Sequence, residues 1–310
     1  MEQNIYGTSA PHMKGKMTTR KIMLFMILAL LPAGIFGIWN FGTSAAVIVL
    51  LTCASAVLTE VLFQLVTKKR ITAGDFQMLF YGILMAYCLP PSLPWYLAVA
   101  AGAGCALLMQ LSLHFFGRNV MNPVILTRLL LLLMFEQEMT TYVFDGLTMA
   151  TPLASLREGG NVDVLSMIFG TTGGCIGETS TLLLCLGAIM LIMLEIMDFR
   201  VTGMYLFSFA AFMAVLGGHG LSSYYLTVQL AGGGFMLTVW YLAPAYLTLP
   251  ITKDGRVING LILGDLTGFF RLFGPAPENI CFAVLIGNLL IPVIERITVR
   301  RPFGVEKKHL

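Results

Sequence analysis

Charge is what this 310-residue chain has least of. Asp, Glu, Lys and Arg together make up 11% of it, where a soluble domain carries about 25%. With 57% of residues hydrophobic and a mean hydropathy of +0.83, too little polar surface is present to cover a globule in water, and a soluble fold is excluded. A net charge of +3, with no basic face, excludes nucleic acid as a partner. Clustered cysteine is also missing. Cys53, Cys88, Cys105, Cys175, Cys185 and Cys281 are scattered, and none forms a CxxC pair. An iron–sulfur ligand set needs grouped thiolates, so these read as small residues buried in apolar runs, and no metal site is expected. No Gly-x-Gly-x-x-Gly opens a strand–helix unit, so a nicotinamide dinucleotide has no Rossmann-type site here. No small-residue cleavage site follows Ala29, and the run behind Lys14, Lys16, Arg20 and Lys21 reads as a retained first span.

What the chain does have is a succession of apolar runs. Those at 22–39, 43–66 and 94–115 approach or reach the roughly 20 residues that a membrane-spanning helix needs. Runs at 181–197, 202–217, 224–242, 258–273 and 279–294 follow. Shorter runs lie at 76–89, closed by Leu89-Pro90-Pro91, and at 120–135, containing Asn122-Pro123. Together they predict about ten transmembrane helices in an all-α polytopic membrane protein. The expected organisation is an N-terminal segment 1–21, a first membrane half 22–136, a polar loop 137–164, a second half 165–296 and a tail 297–310.

Basic residues set the orientation. Lys68, Lys69, Arg70, Arg118, Arg200, Lys253, Arg256 and the tail from Arg296 to Lys308 fall on the side of the N-terminus. The other side holds Arg157 and, at a span end, Arg271. Both termini are therefore expected in the cytoplasm and the polar loop outside it. Five spans on each side of that loop would have opposite topology if they are repeats, an arrangement common among transporters. The interrupted runs near 76–91 and 165–180 are candidate helix breaks, although no residue-level similarity links the halves.

Three motifs concentrate the polar chemistry. Asp145-Gly146-Leu147-Thr148-Met149-Ala150-Thr151-Pro152-Leu153 lies in the polar loop, and loops on a rigid scaffold often carry function. On its own it reads as a Thr-rich turn with Asp145 or Thr148 as a helix cap. Gly173-Gly174-Cys175-Ile176-Gly177-Glu178-Thr179-Ser180 reads as a helix start, with Thr179 or Ser180 capping and Glu178 as a first-turn acid. Its glycines would let backbone approach a flat ligand closely. Gly117-Arg118-Asn119-Val120-Met121-Asn122-Pro123 reads as a helix start capped by Asn122. Glu60, Arg128, Glu178 and Asp265 are ionisable residues within apolar surroundings, where function is the default hypothesis. Arg128 lies deep enough to bind a phosphate or pair with an acid.

These motifs resemble the RnfD/NqrB family, made up of the D subunit of the Rnf complex and the B subunit of the Na⁺-pumping NADH:quinone reductase. Asp145-x-x-Thr148-x-Ala150-Thr151 is similar to that family's flavin-attachment signature, in which the last Thr is esterified to the phosphate of FMN. The resemblance implies Thr151 as the acceptor, with Asp145, Thr148 and Ala150 around it. It adds Asn122, Arg128, Gly177, Glu178, Thr179 and Ser180 as candidate flavin-binding residues. Gly255, Gly260, Gly264, Arg271 and Ala283-x-Leu285-Ile286-Gly287-Asn288 fit the family as well. The chain departs from it at Met149, where Gly is usual, at Met121, in place of Phe, and at Pro244-Ala245, where a Thr-Asp pair is common.

The resemblance covers about residues 19–300. It implies a fold of two five-helix inverted repeats like that of urea channels. The implied function is a subunit of an ion-translocating ferredoxin:NAD⁺ oxidoreductase in a bacterial inner membrane. It would carry covalent FMN, with riboflavin or another flavin bound non-covalently, and move Na⁺ or H⁺. Its expected partners are the other Rnf subunits, lipid and a flavin transferase, and it is not expected to be active alone. The quinone-reductase B subunit usually has a longer extension before its first span. A small-solute channel or permease is the alternative of a different class.

Overall fold

The computed structural model describes residues 17–117, 119–144, 147–148, 151–178, 180–218, 220–245, 248–274 and 280–299. Helices α1 (Thr19–Phe41) and α2 (Thr43–Val66) are joined at Gly42. The short α3 (Gln77–Tyr87) ends before Pro90-Pro91, and α4 (Trp95–Phe116) is again long. Helix α5 (Pro123–Met134) breaks at Phe135 into α6 (Glu136–Thr140). Two short strands, β1 (Val143–Phe144) and β2 (Leu147–Thr148), pair antiparallel, Val143 with Thr148 and Phe144 with Leu147. Helices α7 (Pro152–Arg157), α8 (Val164–Phe169), α9 (Thr181–Met193) and α10 (Phe199–Leu216) follow. Then come α11 (Ser223–Ala231), α12 (Phe235–Leu237) running on into a π turn over Thr238–Leu242, α13 (Lys253–Phe273) and α14 (Ile280–Thr298).

The chain is all-helical and multi-pass apart from the small strand pair, but the expectation of ten spans in two five-helix repeats is corrected. Among the described residues, five helices are long and apolar enough to cross a membrane: α1, α2, α4, α10 and α14. The runs at 76–89, 120–135 and 181–197 form helices of only 11, 12 and 13 residues. At about 1.5 Å per residue such helices fall well short of the roughly 30 Å of hydrocarbon. The run at 224–242 is cut at Gly233 and Gly234, whose φ values of +65° and +66° stop α11. The run at 258–273 belongs to α13, which carries Lys253, Asp254, Arg256, Asp265 and Arg271 and is too polar to qualify.

Short elements meet inside the bundle and satisfy one another's backbone, as apolar surroundings demand. Ile176 N donates to Leu89 O at 3.1 Å and Gly177 N to Tyr87 O at 2.9 Å, tying the 175–178 loop to the end of α3. Asn122 Nδ2 donates to Leu242 O at 2.9 Å, tying the start of α5 to the π turn. The long helices pack closely through small residues, as membrane helices do. A Cβ on Gly264 of α13 would stand 2.7 Å from Phe209 N on α10. α4 runs parallel to α2, with Thr52 bonded to Ala98 O near one end and Lys69 beside His114 at the other. The core includes the fully buried Leu30, Leu84, Ile176, Tyr205, Phe209 and Phe235. Cys88, Cys105, Cys175 and Cys281 are buried, and Cys53 and Cys185 are half-buried.

Candidate functional site

Thr151 stands immediately before α7. Its backbone is extended and its Oγ1 accepts a hydrogen bond from Ala154 N at 3.4 Å, so it is the helix cap, with Pro152 at the first helical position. Leu153 packs with Met167 of α8 and Val228 of α11 beneath it. Arg157, at the other end of α7, donates to Gly274 O at 3.1 Å. Thr151 is 8% exposed and lines a recess with Thr172, Gly173, Gly174, Glu178 and Gly232. The recess lies toward the finish of α1, where Asn40 Nδ2 donates to Gly170 O. Its enclosed volume is about 20 Å³, room for about one water.

Glu178 forms the charged wall of this recess. Its Oε1 lies 3.6 Å from Arg128 Nη2, and both side chains are largely buried. Arg128 also donates to Cys175 Sγ at 3.5 Å. Gly234 passes so close that a Cβ there would fall 2.3 Å from Glu178 Oε1. Gly177 lies against Tyr87, where a Cβ would come within 2.2 Å of that residue's own Cβ. The glycine of the Ile-Gly-Glu motif is thus required by packing as well as by any ligand.

The structure brings Thr151 and Glu178 together, with Arg128 and Gly177 immediately behind. Ser180 accepts from Leu183 N at 3.4 Å and donates to Ile168 O at 3.3 Å, capping α9 away from the recess lining. Asn122 accepts from Val124 N at 3.0 Å and caps α5, fully buried. Thr148 is described through its backbone pairing with Val143. Asp145, Ala150 and Thr179 lie outside the described residues. Sequence reasoning missed the Ala231–Gly233 wall. A Gly-Gly-Gly run that ends an apolar stretch was the available signal, but nothing in the sequence paired it with a residue some eighty positions earlier.

A second cavity, of about 180 Å³, lies beyond the end of α4, between the approaches to α5 and α13 and the side of α14. Asn119, Thr248 and Asn288 line it and are 4%, 4% and 3% exposed. Both polar atoms of the Asn119 side chain, Thr248 Oγ1 and Asn288 Nδ2 have no hydrogen-bond partner among the described residues. Buried orphans of this kind cost about 1–3 kcal/mol each, so such a group calls for an explanation. Asn119 and Asn288 both belong to motifs singled out in the sequence, neither with an assigned role. Among the described residues, no group of three His, Cys, Asp or Glu could hold a metal ion.

Comparison with known proteins places these features in context. The model of the NQR2, RnfD, RnfE family matches residues 7–304. The chain is 34% identical to the D subunit of the Na⁺-translocating ferredoxin:NAD⁺ oxidoreductase complex of Acetobacterium woodii, over 99% of this chain and 97% of that one. It is 32% identical to the D subunit of the proton-translocating ferredoxin:NAD⁺ oxidoreductase complex of Clostridium ljungdahlii, over 99% and 98% respectively. It is also 32% identical to the D subunit of the ion-translocating oxidoreductase complex of Stutzerimonas stutzeri, over 92% of each chain.

Proposed function

Because the chain belongs to the NQR2, RnfD, RnfE family, and is thus a multi-pass membrane subunit of a multisubunit oxidoreductase, we propose that it is the D subunit of an Rnf-type complex with FMN esterified to Thr151. In this reading it passes electrons between ferredoxin and NAD⁺ together with its partner subunits, and couples that flow to Na⁺ or H⁺ movement across a bacterial inner membrane. The observation that carries the reading is the meeting of Thr151 with Glu178 and two glycine turns in one recess. The full-length similarity to ferredoxin:NAD⁺ subunits favours the Rnf assignment over a quinone reductase.

The residues fit an ester-linked flavin in a particular way. Thr151 supplies the hydroxyl, and a small neighbour, Ala150, precedes it. The recess is too small to admit an isoalloxazine ring, so the ring would be held outside it, and the glycines among residues 172–174 and 232–233 would permit its close approach. Thr151 fixes the cofactor's tether, the glycine turns offer a flat bed, and the Arg128–Glu178 pair keeps the adjoining wall charge-balanced. The flavin, when bound, supplies the one- and two-electron chemistry, and the protein supplies orientation and electrostatics. The orphan amides and hydroxyl around the second cavity support a second, non-covalent flavin there, since a flavin ring carries several hydrogen-bonding edges. A flavin transferase loads Thr151 from outside the cytoplasm, consistent with the Lys and Arg asymmetry.

The test is mass spectrometry of the peptide carrying Thr151, together with flavin fluorescence of the denatured band. Thr151→Ala should abolish covalent flavin while the protein still inserts, and Thr148→Ala should retain it. Flavin released on denaturation reports the second, non-covalent site. FMN mass retained on the Thr151→Ala protein would sink the assignment.

A further inference from the structure

One face of α13 is turned onto α10 by Gly260, Gly264 and Gly268. Another carries Ile258, Asp265, Phe269 and Phe273, all exposed, and their spacing of three to four residues or multiples of it sets them in one stripe. Asp265 interrupts an otherwise apolar surface. It follows Arg256 by nine residues, about 14 Å along the helix axis. Arg256 pairs with Asp198 at 2.7 Å at the charged end of the α10–α13 pair. α10 qualifies as a span, and Ser208, the partner of Asp265, lies near its middle, so Asp265 falls near the middle of the roughly 30 Å hydrocarbon layer.

The Asp265 carboxylate accepts a hydrogen bond from Ser208 Oγ on α10. No Lys or Arg among the described residues forms a salt bridge with it. Phe207 on α10 and Phe269 on α13, 65% and 49% exposed, are large apolar groups on the outer surface of the same helix pair. Ionised side chains at this depth face protein or water and are paired. Glu178 lies against Arg128 and, at the helix end, Asp198 against Arg256, whereas Glu60 in α2 is buried among the neutral partners Gln64, Thr72 and Gln110. Asp265 differs from Glu60 in standing exposed on the outer surface, with Ser208 as its partner among the described residues, so a cation on a neighbouring helix would complement its charge.

We infer that the outer face of the α10–α13 pair is a subunit interface, covered by a transmembrane helix of another subunit that presents a lysine or arginine to Asp265 at mid-membrane depth. The aromatic residues beside the acid would flank the apolar stem of that basic side chain. A second copy of this chain is not the occupant selected by charge, because a two-fold pairing through this face would set acid toward acid. The inference rests on the chain acting as one subunit of a complex, as proposed above.

The test uses the whole complex in native membranes, with p-benzoylphenylalanine in place of Phe269. Irradiation and mass spectrometry should join that position to a membrane span of another subunit containing Lys or Arg. Asp265→Lys should cut the cross-link by about tenfold or more, with the chain still inserted at wild-type level. Changing the partner's basic residue to Asp in that background should restore the cross-link. Asp265→Asn, which keeps shape and Ser208 contact, should give an intermediate loss. Cross-links to lipid alone, to a second copy of this chain, or to a span without a basic residue overturn the inference, as does an unchanged cross-link in Asp265→Lys. Covalent flavin is read from the same wild-type sample. Its absence would defeat the functional proposal and leave the interface standing, whereas a failed cross-link with flavin present defeats the interface alone.

Discussion

Replacing Arg271 by methionine should loosen one wall of the Thr151 recess from behind. Arg271 is 4% exposed. Its guanidinium donates to Gln229 O and, at 2.9 Å, to Gly232 O. The same group lies 5.1 Å from the centre of the Phe209 ring and 5.5 Å from that of Phe235. Methionine keeps the apolar stem and removes the donors and the charge. Hydrogen bonds from a charged donor contribute about 1.5–3 kcal/mol each, and the cation–ring contacts add about 0.5–2 kcal/mol. Against this, removing a buried cation returns a desolvation cost of several kcal/mol. The expected net loss is about 2–4 kcal/mol. Domains of 150–250 residues lose about 2–4 °C per kcal/mol, so the melting temperature in detergent should fall by roughly 4–16 °C. Intrinsic tryptophan fluorescence during a thermal ramp measures this directly. Arg271→Lys, which keeps the charge but not the forked donors, should fall between. Because Gly232 lines the recess with Thr151, covalent flavin per chain should also drop in Arg271→Met. A melting temperature within about 2 °C of wild type, with flavin unchanged, would refute the view that Arg271 anchors the 229–234 turn.

Gly177→Ala drives a methyl group to within 2.2 Å of the Tyr87 Cβ, and overpacking of this kind costs about 1–3 kcal/mol; a thermal melt of the inserted chain checks it. A cysteine at Ser155 should react with an impermeant thiol reagent in intact cells, since residues 137–164 are proposed to lie outside the cytoplasm, and labelling only after membrane inversion reverses the topology. Partial burial pushes the Asp198 carboxyl up and disfavours its ionisation, but the Arg200 N–H and the Arg256 guanidinium outweigh it and hold the carboxyl below the usual range. Its stabilising effect is therefore present at neutral pH and is lost as pH falls below the ordinary carboxylate value of about 3.9. Wild type and Asp198→Asn should differ in melting temperature at about pH 6, and the gap should narrow as pH falls below about 3.9, so a gap that widens on acidification contradicts the pairing.

Long apolar runs were legible because a spanning helix is a composition as much as a shape. The runs behind α1, α2, α4, α10 and α14 each correspond to a helix that qualifies as a span. Counting every apolar run as a span failed where the chain is apolar without being continuously helical. Pro90-Pro91 ends the α3 region, Phe135 breaks α5 from α6, and Gly233-Gly234 cuts α11 from α12. Lipid-like composition at those places reflects burial against other short elements, which hydropathy cannot distinguish from burial in lipid. The caps were readable from local rules, and Asn122-Pro123 and Ser180 do begin helices. The ion pair between Arg128 and Glu178 joins residues fifty positions apart. Sequence marked each as costly to bury but had no means of introducing one to the other. The same holds for the 231–233 turn opposite Thr151.

The bonds from Ile176 N to Leu89 O and from Gly177 N to Tyr87 O have a consequence for how the recess behaves over time. Amide hydrogens in a non-helical stretch ordinarily exchange with water within seconds, yet these two are held by the end of a buried helix. They should exchange as slowly as helical core amides, opening only with a larger cooperative unit. Thr151 sits instead on a six-residue helix, α7, fastened by Arg157 at one end and a small apolar cluster beneath. The recess therefore has one wall that keeps time with the membrane core and one that can open by itself. If Thr151 is esterified as proposed above, the enzyme that does so would need only the second wall to yield, with Glu178 held in position against Arg128.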